Sequence, residues 1–196
     1  MTGVVEPRPP VREFLKAQRG LSDAQLDALF VSADEGASYV QVYSSHVHCD
    51  WRNDPLVVAA SFTPGKIEMR DHGPWFLQRL SSDDCGLYVV ENAAIPAGQV
   101  RFDIDGPNAT INYSLDSAFR GRGLARGVVS KAIAAFCAEH GEVTTLVAFV
   151  KADNIASCKV FESLNFEPDG FDSKMQANRY HIDLTERALH EYSGDG

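Results

Sequence analysis

Hydrophobic and polar residues alternate with a period of two in several short stretches of the chain, as they do in half-buried β-strands. The clearest stretch is 109–115, Ala-Thr-Ile-Asn-Tyr-Ser-Leu. Soon after it, apolar side chains recur at the spacing that gives a helix one apolar face, at Ala125, Val128, Val129, Ala132, Ile133 and Phe136. The two patterns predict a strand, a tight turn and an amphipathic helix in succession.

The same succession is predicted a second time further along the chain. The run 143–151 is apolar and rich in β-branched residues, which is typical of a buried strand. A helix is predicted over 155–164, and Asp153 or Asn154 can cap it because their short side chains accept hydrogen bonds from its first N–H groups. Asn165 follows, where a left-handed backbone that ends the helix is tolerated.

The rest of the pattern predicts shorter elements. Pro74 is expected in the first turn of a helix near 75–80, and Pro96 and Gly98 are expected to join a hairpin. Asp105-Gly106 predicts the next turn. The other predicted elements are helices at 11–18, 22–31 and 45–53 and strands at 39–43, 87–91, 99–103, 166–171 and 179–184.

Length and composition favour one globular domain. The chain has 196 residues, of which 44% are hydrophobic, and this is enough for a stable core. We divide it into an N-terminal helical extension with a flexible start at 1–36, a main domain at 37–185 and a polar tail at 186–196. No apolar run is long enough for a membrane span and no signal peptide is evident, so we expect a cytoplasmic protein.

Charge and cysteine content exclude some classes of partner. The formal net charge of −9 argues against non-specific binding of nucleic acid, which requires cationic side chains to neutralise phosphates. The four cysteines are scattered, which is typical of free thiols in a reducing compartment. His46 and His48 would share one face of a strand, but no second ligand cluster lies near them in sequence, so we expect no metal.

The turn between strand 109–115 and the following helix, Phe119-Arg120-Gly121-Arg122-Gly123-Leu124-Ala125, has the features of a phosphate-binding site. Backbone N–H groups at a helix N-terminus bind phosphate oxygens, and Gly121 and Gly123 let a ligand approach the backbone closely. The P-loop is excluded because Leu124-Ala125 stands where it needs Lys-Ser/Thr. The dinucleotide fingerprint lacks its third glycine. An ordinary turn with surface arginines is the alternative.

Arg120, Gly123 and Ala125 form an Arg-x-x-Gly-x-Ala motif, and the segment 151–166 matches a second pattern through Asn154, Ser157 and Phe161. In this order the two motifs resemble the GNAT superfamily of N-acetyltransferases. The resemblance covers roughly residues 38–184. It implies an α/β fold, with a mixed, mostly antiparallel sheet that splays at one parallel pair and is flanked by helices. It also implies acetyl-CoA as co-substrate, without a metal.

The resemblance also implies roles for individual residues. Asn154, Ser157 and the backbone N–H of Leu115 are the candidate catalytic groups. Phe161 stands where many relatives have a tyrosine that protonates the departing thiolate, so that Ser157 or a water could serve, or the thiolate could leave unassisted. The candidate coenzyme-binding residues are Ser114, Leu115, Arg120, Gly121, Arg122, Gly123, Leu124, Ala125, Asn154, Ser157 and Phe161.

A further set of segments is similar in sequence to the amino-sugar N-acetyltransferases of nonulosonic (pseudaminic) acid synthesis. In chain order, the segments are 50–57, 61–62, Ile67, His72-x-x-Trp75-Phe76 and 98–103. That likeness implies transfer of acetyl to the 4-amino group of a UDP-linked amino-dideoxy sugar. Core packing is the alternative for the aromatic residues, and an ion pair with Asp50 or Asp54 is the alternative for Arg52. The candidate substrate-binding residues are Arg52, Asn53, His72, Trp75 and Arg101.

Direct attack of a neutral amine on the thioester needs no protein nucleophile, so the chemistry reduces to orientation and proton transfer. His72, Glu91 and Asp103 are candidate bases, and no spacing selects one of them. Two alternatives remain open, a protein N-terminal acetyltransferase of the ribosomal-protein type and a non-catalytic acyl-CoA-binding module. A homodimer is also left open.

Overall fold

The computed structural model of the protein describes residues 47–184, except 64, 93 and 94. The helices predicted at 11–18 and 22–31, the strand at 39–43, His46 and the polar tail lie outside the described residues. The predicted boundaries of the N-terminal extension, main domain and tail therefore remain predictions.

The described chain begins in a helical segment at 47–53, which is the described part of the helix predicted at 45–53. The other helices are α1 (Pro55–Ala60), α2 (Met69–Leu80), α3 (Ala125–Glu139) and α4 (Ile155–Ser163), and a 3₁₀ turn spans Ser117–Phe119. The strands are β1 (Cys85–Asn92), β2 (Ile95–Asp105), β3 (Asn108–Leu115), β4 (Thr145–Val150), β5 (Glu167–Asp172) and β6 (Ala177–Asp183).

The six strands form one mixed sheet in the order β1-β2-β3-β4-β6-β5. All neighbouring strands are antiparallel except β3 and β4, which are parallel. The parallel pairing covers only three residue pairs, from Asn108–Thr145 to Thr110–Val147, although both strands continue beyond it. The predicted α/β fold with a splayed parallel pair is therefore confirmed, and the splay leaves a gap between the C-terminal halves of β3 and β4.

The main core lies between one face of the sheet and helices α3 and α4. Alternate residues of a strand face opposite sides of the sheet, and on β3 the residues Ile111, Tyr113 and Leu115 face this core. From α3, Ile133 and Phe136 are fully buried, and Phe136 stacks on Phe102 of β2 with ring centroids 4.1 Å apart. The other face of β2 and β3 meets the helical segment 47–53 and α2 through Trp51 and Trp75, in the contacts described below.

Three details of the predicted secondary structure were wrong or missing. Helix α2 starts at Met69, so Pro74 lies inside it rather than in its first turn. Pro74 has no backbone N–H, so the Arg70 carbonyl lacks its helical hydrogen-bond donor. The helix tolerates this loss because Pro74 and Arg70 are both exposed to water. Pro96 and Gly98 lie within β2 rather than in the turn of the hairpin. Pro96 is opposite a β-bulge at Val90/Glu91, where strand pairing does not need a backbone N–H that proline lacks. Helix α1 and the 3₁₀ turn were not predicted.

The predicted turns at Gly106 and Asn165 are confirmed, because both residues have positive φ angles, of 57° and 63°. Among the described residues, no helix is long and apolar enough to cross a membrane.

Candidate coenzyme and acceptor sites

The turn that leads into α3 exposes backbone donors. Gly121 and Gly123 have φ angles of +70° and +73°, which side chains with a Cβ adopt only with strain. A Cβ added at either glycine would meet no protein atom within 4 Å, so the space above them is open. Leu124 precedes the helix and provides no side-chain cap to its first N–H groups. These N–H groups, at the positive end of the helix dipole, suit phosphate oxygens.

The Arg120 side chain holds the turn in place rather than extending toward a ligand. Its Nε donates to the carbonyl oxygen of Leu115 at 3.0 Å, and its guanidinium pairs with the Asp54 carboxylate at 2.8 Å. Desolvation raises the pKa of Asp54, but the hydrogen bond and charge of Arg120, with the N–H groups of Val57 and Leu56, lower it overall. Arg122, by contrast, is exposed and lies over the Phe119 ring at 5.9 Å.

The backbone N–H of Leu115 points into the gap between β3 and β4. The N–H of Asp116 donates to Ala97 of β2 at 2.9 Å, and neighbouring residues of a strand direct their N–H groups to opposite sides. Leu115 therefore turns its N–H and carbonyl away from β2, and the Arg120 contact with that carbonyl agrees. Pairing with β4 has already ended at Thr110, so β4 offers no partner for this N–H.

Gly98 sets how closely β2 approaches this end of β3. A Cβ at Gly98 would lie 2.6 Å from the carbonyl oxygen of Ser114 and 2.8 Å from the Leu115 side chain. No larger residue fits there without moving the strand end that presents the Leu115 N–H. Ser114 was predicted to bind the coenzyme. Its side-chain oxygen is buried and makes no hydrogen bond within the described part of the chain.

The first turn of α4 borders the gap on the other side. The Asn154 side chain accepts from the N–H of Ser157 at 3.2 Å, so the predicted helix cap is confirmed. The hydroxyl of Ser157 lies 3.0 Å from the phenol oxygen of Tyr113 on β3. Phe161 is buried, with its ring edge-to-face with Tyr113 at 5.8 Å. Tyr113 was not predicted as a functional residue, because its contact with α4 joins positions far apart in sequence.

Two predicted substrate-binding residues hold the loop that follows α1. Arg52 donates to the carbonyl of Thr63 at 2.6 Å, and desolvation lowers the pKa of its guanidinium. Asn53 makes two hydrogen bonds with the backbone of Ile67, both 2.8 Å long. Of the two ion-pair partners considered for Arg52, Asp50 and Asp54, the second pairs with Arg120 instead.

The other three predicted substrate-binding residues lie together on the sheet face opposite α3. The Arg101 guanidinium is 5.5 Å from the Trp75 ring and pairs with Asp103 at 2.9 Å. His72 is buried beside Trp75, with ring centroids 5.2 Å apart. Trp75 and Arg101 are half-buried, so this pair, which we call the Trp75–Arg101 patch, has surface to offer a ligand.

A hydrogen bond ties this face to the end of β3. The indole Nε1 of Trp51 donates to the Asp116 carboxylate at 2.8 Å, and both residues are almost completely buried. Trp51 therefore packs in the core, which is the alternative to substrate binding that the sequence analysis gave for the aromatic residues. The same bond anchors the helical segment 47–53 one residue beyond Leu115.

The three candidate bases differ in exposure. Glu91 is exposed and His72 is buried. Asp103 pairs with Arg101 through Oδ2, while its Oδ1 is buried with no hydrogen-bond partner within residues 47–184. His48 is also buried, and desolvation, with the charges of His72 and Arg101, lowers its pKa to about 3, so this imidazole is neutral at pH 7. Within the described ranges, no group of three His, Cys, Asp or Glu side chains could hold a metal ion.

The sequence model of the acetyltransferase (GNAT) domain matches residues 44–167, which is more than half of the chain. A comparison with curated protein sequences finds no match. The match covers β1 to β4, the turn at 120–125 and the segment with Asn154 and Ser157. It includes the whole of the gap and both of the motifs on which the resemblance was based.

Solved structures share the fold at low sequence identity. A spermidine N-acetyltransferase from Vibrio cholerae, in complex with CoA and spermine, has a TM-score of 0.65 at 13% identity, covering 78% of this chain and 94% of that one. The ribosomal alpha-N-protein acetyltransferase RimL has a TM-score of 0.63 at 18% identity, covering 74% and 86%.

An aminoglycoside acetyltransferase in complex with coenzyme A is also similar, with a TM-score of 0.61 at 16% identity, covering 76% of this chain and 93% of that one. At such identities these structures show the common fold alone, while the family rests on the match of the domain sequence. The chain belongs to the GNAT acetyltransferases and is an N-acetyltransferase that uses acetyl-CoA as co-substrate.

Proposed function

We propose that the diphosphate of acetyl-CoA binds at the turn 120–125 and that its thioester lies in the gap between β3 and β4. The observation that carries this proposal is the combination of two left-handed glycines, an uncapped α3 N-terminus and the Leu115 N–H that faces the gap. The bound co-substrate supplies an activated acetyl group. The turn binds by backbone donors, and Arg120 and Asp54 keep that backbone in place.

The Leu115 N–H would act on the reacting carbonyl. Negative charge develops on the thioester oxygen as an amine attacks, and a fixed backbone donor stabilises it in a site from which water is excluded. Removal of such a donor typically costs about 10²–10³-fold in turnover. Orientation of the amine toward the thioester supplies a further part of the rate.

For the acceptor we propose a primary amine on a UDP-linked amino sugar, bound over the Trp75–Arg101 patch. A half-exposed aromatic ring beside a guanidinium suits a sugar ring and a phosphate. Asp103 neutralises part of the Arg101 charge. A homodimer and a cytoplasmic location remain predictions.

A cationic amine, such as a peptide N-terminus or a polyamine, is the second candidate acceptor. The net charge of −9 attracts cations over long range, and the Asp103 carboxylate lies on the acceptor face. The spermidine enzyme and RimL, which share the fold, act on acceptors of these kinds by their names.

Thiol release with a panel of acceptors tests the function. The purified chain is incubated with acetyl-CoA and, separately, a UDP-4-amino-4,6-dideoxy-N-acetylhexosamine, short peptides with a free N-terminus, spermidine or an aminoglycoside. The matched control for each is the same compound with its amine already acetylated. Turnover with the UDP sugar alone supports the first acceptor, and turnover with the cations supports the second. CoA binding without thiol release for any amine would contradict catalysis and favour a binding module.

A further inference from the structure

Helix α1 is fixed at its N-terminus to the end of β3. The Asp54 side chain caps the helix and pairs with Arg120 at 2.8 Å. Arg120 also binds the carbonyl of Leu115, which is the last residue of β3. The first turn of α1 therefore lies beside the turn that we assign to the coenzyme.

The other end of α1 is fixed to β4 by one side chain. Nζ of Lys151 donates to the carbonyl oxygen of Ala59 at 2.7 Å. Lys151 directly follows Val150, where β4 ends. The same ammonium lies 5.9 Å from the centre of the Phe62 ring, in the loop after α1. Lys151 thus joins the end of β4 to the end of α1 and to the loop that follows it.

The length of α1 is sufficient to bridge the gap. A helix of six residues is about 9 Å long, which is about twice the ~4.8 Å that separates paired strands. Pairing between β3 and β4 has ended well before Leu115 and Val150. Because its two ends are fixed to these two strand ends, α1 crosses the gap where the strands have separated.

Polar contacts, rather than packing, hold α1 in this position. None of its six residues is buried. The Ser61 N–H binds the carbonyls of Val57 and Val58, and Lys151 binds that of Ala59. A cation near a helix C-terminus also interacts favourably with the helix dipole. The last turn of α1 has no basic residue of its own, so Lys151 supplies this charge from the far side of the gap.

We infer that Lys151 is a positioning residue for the transfer reaction, an inference that rests on the proposed function. By holding the C-terminus of α1, Lys151 closes the end of the gap around the thioester. The closed gap keeps the acceptor amine oriented and excludes water, and both effects lower the barrier to acyl transfer. Lys151 acts through α1 and does not itself contact the reacting atoms.

The simpler alternative is a surface contact without effect on the reaction. Exposed charged contacts often contribute little to stability. The two roles differ in what they change. A positioning role affects the acceptor KM and the motion of α1 together, whereas a surface contact affects neither.

The test compares Lys151→Met, which keeps a long side chain without its charge, with Lys151→Arg, which keeps the charge. We expect Lys151→Met to raise the KM for the most active acceptor of the panel by about fivefold, as for one partly exposed charged contact. The KM for acetyl-CoA and the melting temperature should stay close to wild type. Lys151→Arg should restore most of the acceptor KM.

Hydrogen exchange measures the effect on α1 itself. We expect the amides of 55–61 to exchange faster in Lys151→Met than in the wild type, and Lys151→Arg to restore their protection. Lys131→Met is the matched control in both assays, because it removes an exposed lysine from α3.

If Lys151→Met leaves both the acceptor KM and the exchange of 55–61 unchanged, the inference is wrong. Faster exchange with an unchanged acceptor KM would overturn it as well, because α1 would then move without consequence for the reaction. A raised acceptor KM with unchanged exchange would mean that Lys151 does not act through α1. Failure of the proposed function is distinguishable, because the wild type would then release no thiol with any amine, whatever the exchange of 55–61.

Discussion

The two parts of the proposed site would bind by different kinds of group. On the coenzyme side, the donors would be backbone N–H groups at 120–125 and Leu115, and the nearby Arg120 side chain holds that backbone. On the acceptor side, binding would depend on side chains, above all Trp75 and Arg101. A site made of backbone tolerates substitution at most positions, whereas a site made of side chains changes its specificity with single replacements.

This contrast explains why the motif that the chain shares with its family lies in the turn at 120–125 and not on the acceptor side. The geometry of the turn requires glycine at two positions with positive φ, and this requirement is local. On the acceptor side, a charged residue such as Arg52 can equally bind a ligand or a carbonyl of its own chain. The structure places it on the Thr63 carbonyl.

The largest effect is expected at Gly123. Gly123→Val places a branched side chain in the open space above the turn and disfavours its positive φ, so the diphosphate loses its backbone donors. With charge-assisted hydrogen bonds worth about 1.5–3 kcal/mol each, we expect CoA affinity to fall by at least roughly 10²-fold in calorimetry. Gly106→Val is the matched control, because Gly106 also has positive φ and open space but lies at the far end of β3. Unchanged CoA affinity in Gly123→Val would contradict the coenzyme site.

The next effect separates the acceptor-side arginines. Arg101→Ala should raise the KM for the acceptor by about 10-fold, the equivalent of one charge-assisted hydrogen bond, and should leave the KM for acetyl-CoA unchanged. Arg52→Ala is the comparison, because its guanidinium is engaged by the Thr63 carbonyl. Steady-state kinetics with both substrates varied checks this. A larger KM effect from Arg52→Ala than from Arg101→Ala would reverse our assignment.

Asn53 tests the loop that follows α1. Asn53→Ala removes two hydrogen bonds to the Ile67 backbone. We expect the free energy of unfolding to fall by about 1–3 kcal/mol, since each bond contributes about 0.5–1.5 kcal/mol. Urea denaturation measures the loss. Wild-type stability together with a raised acceptor KM would instead assign Asn53 to the substrate.

The smallest effect concerns the ion pair behind the turn. Asp54→Asn keeps a capping side chain for α1 but removes the charge that pairs with Arg120, and it should cost about 1 kcal/mol or less at pH 7. The Asp54 pKa is lowered in the folded protein, so the stabilisation is present above the ordinary Asp pKa of about 3.9 and is lost at lower pH.

Urea denaturation from pH 7 to pH 3 checks this pH dependence. The wild type and Asp54→Asn should differ at pH 5–7 and converge below about pH 4. A difference that grew on acidification would mean that the carboxyl is stabilised in its neutral form, which would contradict the pairing with Arg120.

Much of the fold could be predicted because its signals are local. The alternation at 109–115 and the helical spacing after Ala125 survive in the structure, with bounds shifted by a residue or two. The prolines were misinterpreted because their tolerance depends on context. Pro74 is exposed, and Pro96 lies opposite a bulge, and neither fact is visible in one sequence.

In the candidate site too, the features that depend on local sequence could be predicted and those that depend on packing could not. The Gly121 and Gly123 turn, the Asn154 cap and the orientation of Leu115 follow from short motifs and strand geometry. The contacts of Tyr113 with Ser157, Asp54 with Arg120 and Trp51 with Asp116 join residues more than forty positions apart. They depend on how the elements pack, so the sequence pattern did not reveal them.

A crystal structure with bound CoA tests the central claim most directly. We expect its diphosphate oxygens within hydrogen-bond distance of the N–H groups of the 121–125 turn, and its sulfur in the gap between β3 and β4. A complex with the phosphates bound elsewhere, and the turn exposed to water, would contradict the account.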